Sequence, residues 1–114
     1  MSTITTHVLD TSRGRPAGGV RAVLERQTAV GEWELVGRSA TDSNGRIGQW
    51  PAAGTPFTAG LYRLTFDTAA YFRAQNVESI FPEVAVIIAV RDAAEHYHIP
   101  LLLSPFGYST YRGS

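Results

Sequence analysis

The chain has 114 residues, 44% of them hydrophobic, enough for one core and too few for two, so residues 1–114 are expected to fold as one domain. Ten arginines and no lysine balance ten acidic residues, which removes the broad positive field that nucleic acid or an anionic membrane surface would require and rules out an imine-forming lysine. With no cysteine, disulfides, thiol nucleophiles and thiolate metal sites are excluded together.

Met1 to His7 carry neither a basic n-region nor an apolar h-region, so no secretory signal is expected and the cytoplasm is the expected location. Ile4 to Leu9 reads as a first strand, with Ile4, Thr6 and Val8 on one face and Thr5, His7 and Leu9 on the other. Thr11 to Gly19 reads as a loop, and strands follow over Val20 to Arg26 and Trp33 to Arg38. Thr41-Asp42-Ser43-Asn44-Gly45-Arg46 predicts a tight turn, because Asn-Gly supplies positive φ, and it delivers Arg46 at its exit. Gln49 to Pro56, rich in Pro and Gly, is a connection. Gly60 to Asp67 alternates cleanly and buries Tyr62, Leu64 and Phe66, after which Thr68 is placed to cap a single helix over Ala69 to Gln75.

Phe81 to Arg91 is apolar on both faces, yet its longest apolar stretch is about a third of the roughly 20 residues a membrane helix needs. It predicts a strand whose second face is covered by the opposite layer and a loop or by another copy of the chain, with self-association favoured. His96 to Thr110 reads as strand, Ser-Pro turn, strand. Short alternating runs parted by turn residues predict an antiparallel β-sandwich with one short helix. Trp33, Trp50 and the remaining aromatics are read as core or interface.

Imidazole is the side chain whose unperturbed pKa, about 6.5, suits proton transfer at neutral pH, so His7 and His98 are the candidates for chemistry. A strand histidine is as readily a structural, hydrogen-bonded residue. His96 shares a strand face with His98, and a His-x-His pair with a third histidine is a pattern zinc can use; His96 is otherwise read as structural. Arg46 is a permanent planar donor suited to carbonyls, anionic rings or a developing oxyanion, or a plain solvent-facing charge. The ending Tyr111-Arg112-Gly113-Ser114 is costly to order at a chain end, which marks it as a candidate site element. No Gly-x-Ser-x-Gly elbow exists, so direct water attack is favoured over an acyl-enzyme on Ser114.

Gly14-Arg15-Pro16, Gly19-Val20-Arg21-Ala22-Val23-Leu24, Thr41 to Arg46 and Gly60-Leu61-Tyr62-Arg63-Leu64 are similar to prealbumin-like sandwich modules at large. They argue fold alone. His7-Val8-Leu9-Asp10, Phe81-Pro82-Glu83-Val84 and above all HYHIPLLLSPFGYSTYRGS, His96 to Ser114, resemble the 5-hydroxyisourate hydrolases, the transthyretin-related enzymes that act after urate oxidation. The resemblance implies hydrolysis of 5-hydroxyisourate to 2-oxo-4-hydroxy-4-carboxy-5-ureidoimidazoline. It implies catalytic roles for His7, Arg46, His98 and Ser114, substrate contacts from His7, Arg46 and Tyr111, and a tail ordered by Arg112 and Gly113. It implies no cofactor or metal, no nucleic-acid or membrane partner, and a homotetramer with sites where subunits meet. The alternative reading is a noncatalytic prealbumin-like module that binds a ligand or a partner.

Overall fold

The computed structural model describes residues 3–52 and 54–114. Met1 and Ser2, at the N-terminal segment read above, and Ala53, inside the expected connection Gln49 to Pro56, lie outside the described residues. Among the described residues, nine strands and one helix form two sheets: β1 Ile4–Asp10, β2 Arg15–Pro16, β3 Arg21–Gln27, β4 Trp33–Ala40, β5 Arg46–Trp50, β6 Gly60–Phe66, α1 Thr68–Arg73, β7 Val84–Val90, β8 Tyr97–Ser104 and β9 Gly107–Thr110. One sheet has the order β4-β3-β6-β7. In the other, β1 lies beside β8, β8 beside β9, and both β2 and β5 pair with the opposite edge of β1.

Period-two alternation builds both layers. Ile4, Thr6, Val8 and Asp10 of β1 are buried while Thr5, His7 and Leu9 alternate outward, and Tyr62, Leu64 and Phe66 of β6 point inward in the same way. These inward faces meet around Trp50, Phe66, Phe72, Leu101 and Leu103, each no more than 2% exposed. Removing a leucine at such a position costs about 2–5 kcal/mol through lost transfer energy and the cavity left behind. The two buried polar groups on β1 are satisfied: Thr6 Oγ1 donates to Ile99 O (2.6 Å), and the Asp10 carboxylate accepts from Ser12 Oγ (2.6 Å) and Tyr71 Oη (2.8 Å). Burial and the bond to Asp10 hold the Tyr71 phenol above its ordinary value.

The expected sandwich is present, with local differences. The sandwich is antiparallel except at β1–β8, which run parallel from Ile4↔Tyr97 to Asp10↔Leu103; the first and eighth strands meet by crossover, a pairing that local patterns do not encode. The expected loop Thr11 to Gly19 contains β2, and the expected connection from Gln49 begins two residues late, because β5 continues through Trp50 to bury that ring. The helix is capped by Asp67, not Thr68: the Asp67 carboxylate accepts from Ala70 N–H, and Thr68 is already helical and buried. On β7 the outward face is uncovered within one chain, with Ile87 57% exposed.

Candidate active site

Sheet register assembles the cleft on the outer face of the β1–β8 sheet. Asp42 Oδ1 accepts from the N–H groups of Asn44 and Arg46, both at 2.9 Å, which closes the turn before β5. Gly45 has φ 76°, and a Cβ there would run into Val8 O, so glycine is what allows its own carbonyl to accept from Val8 N–H at 2.7 Å. That close approach sets Arg46 directly opposite His7. On the other edge of β1, Thr5 is opposite His98 and His7 opposite Pro100. Side chains at paired positions on one sheet face stand about 5 Å apart at Cβ. Thr5, His7, Arg46 and His98 therefore share one outward face.

The chain end returns to the same place. β9 pairs with β8 from Ser104↔Gly107 to Leu101↔Thr110, and the bridge His98↔Gly113 continues that register three residues further along each segment. The ladder is broken between them because Pro100 has no N–H to donate; its carbonyl accepts from Thr110 Oγ1 at 2.6 Å instead. Gly113 N–H then donates to His98 O at 2.7 Å and rejoins the tail to the strand. A Cβ on Gly113 would sit 2.7 Å from His98 Cδ2, so only glycine lets the tail lie flat against that imidazole. Arg112 adds an ion pair to Glu95 (2.8 Å), a bond to His96 O (3.1 Å) and a guanidinium stacked 4.4 Å from the Tyr97 ring centroid. Both ion-pair partners are 51% exposed, which limits the pair to at most about 1 kcal/mol. Several small terms of this kind, not one strong bond, hold the tail.

The result is an open cleft of ≈ 360 Å³ lined by Thr5, Thr6, Arg46, Ile47, Gly48, His96, His98 and Ser114. Of the residues singled out from the sequence, Arg46, His98 and Ser114 line it, and His7 stands at its side, opposite Arg46. Tyr111 does not enter it within one chain. It is 56% exposed and lines a separate groove of ≈ 610 Å³ with Ile87, Ala89 and Arg112. Thr5 and Gly48 belong to the cleft and were not identified from the sequence. Thr5 was legible as a same-face neighbour of His7; Gly48 was not, because the strand that presents it, β5, falls between the expected turn and the expected connection.

Burial foremost, then the charges of Arg46, His96 and His7, hold the His98 imidazole below its usual 6.5. The neutral ring is thereby favoured at neutral pH. His98 Nδ1 lies 2.8 Å from Thr5 Oγ1, and His96 Nε2 lies 3.0 Å from the same oxygen. The His-x-His pair is thus directed onto a hydroxyl. Among the described residues, no group of three or more His, Cys, Asp or Glu is arranged to hold a metal ion.

Fold and cleft together define a transthyretin-like β-sandwich with an imidazole and guanidinium cluster on one sheet face. The sandwich superimposes on a solved 5-hydroxyisourate hydrolase from Klebsiella pneumoniae with a TM-score of 0.87 and 40% identity, covering 100% of both chains. It also superimposes on sea bream transthyretin in complex with thyroxine, with a TM-score of 0.90 and 33% identity over 97% of this chain and 94% of that one. In sequence it is 47% identical to a probable 5-hydroxyisourate hydrolase of Caenorhabditis elegans, over 99% of this chain and 82% of that protein. It is 44% identical to the 5-hydroxyisourate hydrolase of Salmonella typhimurium, over 97% and 80%. The chain belongs to the HIUase/Transthyretin family, whose model it matches over residues 4–113.

Proposed function

We propose that this protein, as one domain over residues 1–114, is a 5-hydroxyisourate hydrolase that forms 2-oxo-4-hydroxy-4-carboxy-5-ureidoimidazoline. The observation that carries the reading is the sheet register that gathers His7, Arg46 and His98 on one face while the Gly113 bridge returns Ser114 to the same cleft. Neutral His98, acting through Nε2, takes a proton from water as its oxygen bonds to the ring carbonyl carbon. Arg46 stabilises the oxyanion that forms there. Collapse of the tetrahedral species breaks the carbon–nitrogen bond, the departing ring nitrogen receives a proton from imidazole, and a carboxylate remains. His7, beside Arg46, binds the substrate and can exchange acid and base duties with His98. Ser114 orients water or substrate through its hydroxyl. No cofactor takes part in this scheme.

Self-association is part of the proposal. The exposed apolar face of β7 and the position of Tyr111 in a groove away from the histidines both support a homotetramer in which Tyr111 of one copy completes the cleft of another. A cytoplasmic location belongs to the same reading. The test is an ultraviolet time course with freshly generated 5-hydroxyisourate. Wild-type protein accelerates loss of the substrate absorbance well above its spontaneous decay, and His98→Ala abolishes most of that acceleration. Decay at the spontaneous rate with wild-type protein, alongside saturable binding of a small ligand, would instead favour a noncatalytic carrier.

A further inference from the structure

Thr5 presents its hydroxyl to two imidazoles at once. A threonine on an outward sheet face ordinarily gives its hydroxyl to water, but here Oγ1 lies 2.8 Å from His98 Nδ1 and 3.0 Å from His96 Nε2. A hydroxyl owns one proton, so it donates to one ring and accepts from the other. The tautomers of the two histidines are consequently coupled. Thr5 is β-branched and therefore stiff, and its backbone is paired with His98, so the oxygen is fixed in place. The His96 carbonyl in turn accepts from the Arg112 guanidinium at 3.1 Å.

We propose that His98 Nδ1, Thr5 Oγ1 and His96 Nε2 form a proton relay that lets His98 serve as base and then as acid, with Thr5 and His96 as positioning residues. The inference rests on the hydrolase reading for its chemical purpose. In the resting arrangement His98 Nδ1–H donates to Thr5 and Thr5 O–H donates to His96, leaving the lone pair of His98 Nε2 for water. When Nε2 takes a proton from water, the Nδ1 proton passes to Thr5 and the Thr5 proton to His96 Nε2. His98 is then neutral with its proton on Nε2, ready to be given to the departing nitrogen, and the positive charge rests on exposed His96, which can release its Nδ1 proton to solvent. Donation from Nε2 draws the same chain back, with His96 regaining its proton from water. No atom or charge is left over.

The surroundings give the relay a physical reason. The charged or titratable groups set against His98 are Arg46 from β5, His96 ahead of β8 and His7 from β1, and each disfavours a lasting imidazolium on His98. Moving the charge one hydroxyl outward, to a residue in contact with solvent, relieves that repulsion.

Three histidines make the imidazole nitrogens directly resolvable by NMR. In substrate-free, histidine-labelled wild-type protein, His98 is expected in a single tautomer with its proton on Nδ1. Thr5→Val, which keeps the shape and removes the hydroxyl, is expected to give a mixture, and Thr5→Ser to restore the wild-type pattern. Kinetically, Thr5→Val should lower kcat by about 10- to 100-fold, the scale of an impaired proton transfer, with KM within about twofold. Thr5→Ser should recover most of that loss. A proton inventory in mixed light and heavy water should be curved for wild type and linear for Thr5→Val. An unchanged His98 tautomer in Thr5→Val, or a kcat within twofold of wild type, would overturn the relay. Should wild-type protein prove inactive on 5-hydroxyisourate, the hydrolase reading falls, and the tautomer measurement still decides whether the hydrogen-bonded chain exists.

Discussion

At the scale of single residues, the chemistry depends on keeping His98 neutral. Its imidazole titrates below the usual 6.5, for reasons of burial first and the Arg46 charge second. Because the folded protein binds this proton less readily than the unfolded chain, stability from this group is intact above about pH 6.5 and is lost as pH falls through the folded value. Activity that needs neutral His98 should show its acid limb in the same window. Replacing Arg46 with Gln removes one of the charges that repel a protonated His98, so an NMR titration should find His98 shifted upward toward 6.5. A downward shift, or none, would mean that the Arg46 charge does not hold the value down. The outward face of His7 was legible from strand parity, whereas its place opposite Arg46 and the contact of Thr5 with both other histidines required the partner strands.

At the scale of elements, the informative pair is β8 and the segment that follows β9. Pro100 removes one donor from a central strand, and the chain opens there across Tyr111 and Arg112 before Gly113 closes the ladder again. The glycine is the weak point of this arrangement, since a methyl group would meet the His98 ring at 2.7 Å. Gly113→Ala should therefore lower kcat/KM by at least about tenfold, as displacement of a reacting group by an ångström does. Its melting temperature should stay within a few degrees of wild type, because the core lies elsewhere. Parallel thermal denaturation and steady-state assays check both halves of this expectation, and a large loss of stability without loss of specific activity would contradict it. The helix, by contrast, only closes one end of the sandwich: Asp67 caps it, and Tyr71 ties it to the buried carboxylate of Asp10.

At the scale of the whole molecule, the end of the chain and the outer faces of the sheets govern behaviour. Ser114 lines the cleft, so residues appended after it would have to pass through or displace that wall. A C-terminal extension should reduce turnover by more than about tenfold, by the same loss of positioning, while an equal extension before Met1 leaves it near the untagged rate. Equal rates for the two would remove the tail from the site. Light scattering on the untagged protein, expected at four times the 12.4 kDa chain mass, tests the assembly, and dissociation by dilution should remove activity in step.

The linear order of residues by itself determined the sandwich and much of its content. Alternation along β1 and β6 fixed which side chains are buried, Asn44-Gly45 fixed the turn that presents Arg46, and the ending from His96 to Ser114 fixed the family. Such features are local: a period of two, a positive φ and a long motif can each be read without knowing what lies across the sheet. Only tertiary structure decided that β1 runs parallel to β8, that Thr5 thereby reaches His98 and His96, that Gly48 opens onto the cleft and that Tyr111 faces a different groove from the histidines. The first two depend on register between distant segments, with a separation of 93 between Thr5 and His98, and the other two on the pairing of β1 with β5 and of β8 with the segment after β9. A shift of one residue in that pairing would turn Ile4 and Val8 outward, which the alternation of β1 opposes, but neither segment alone names its partner strand.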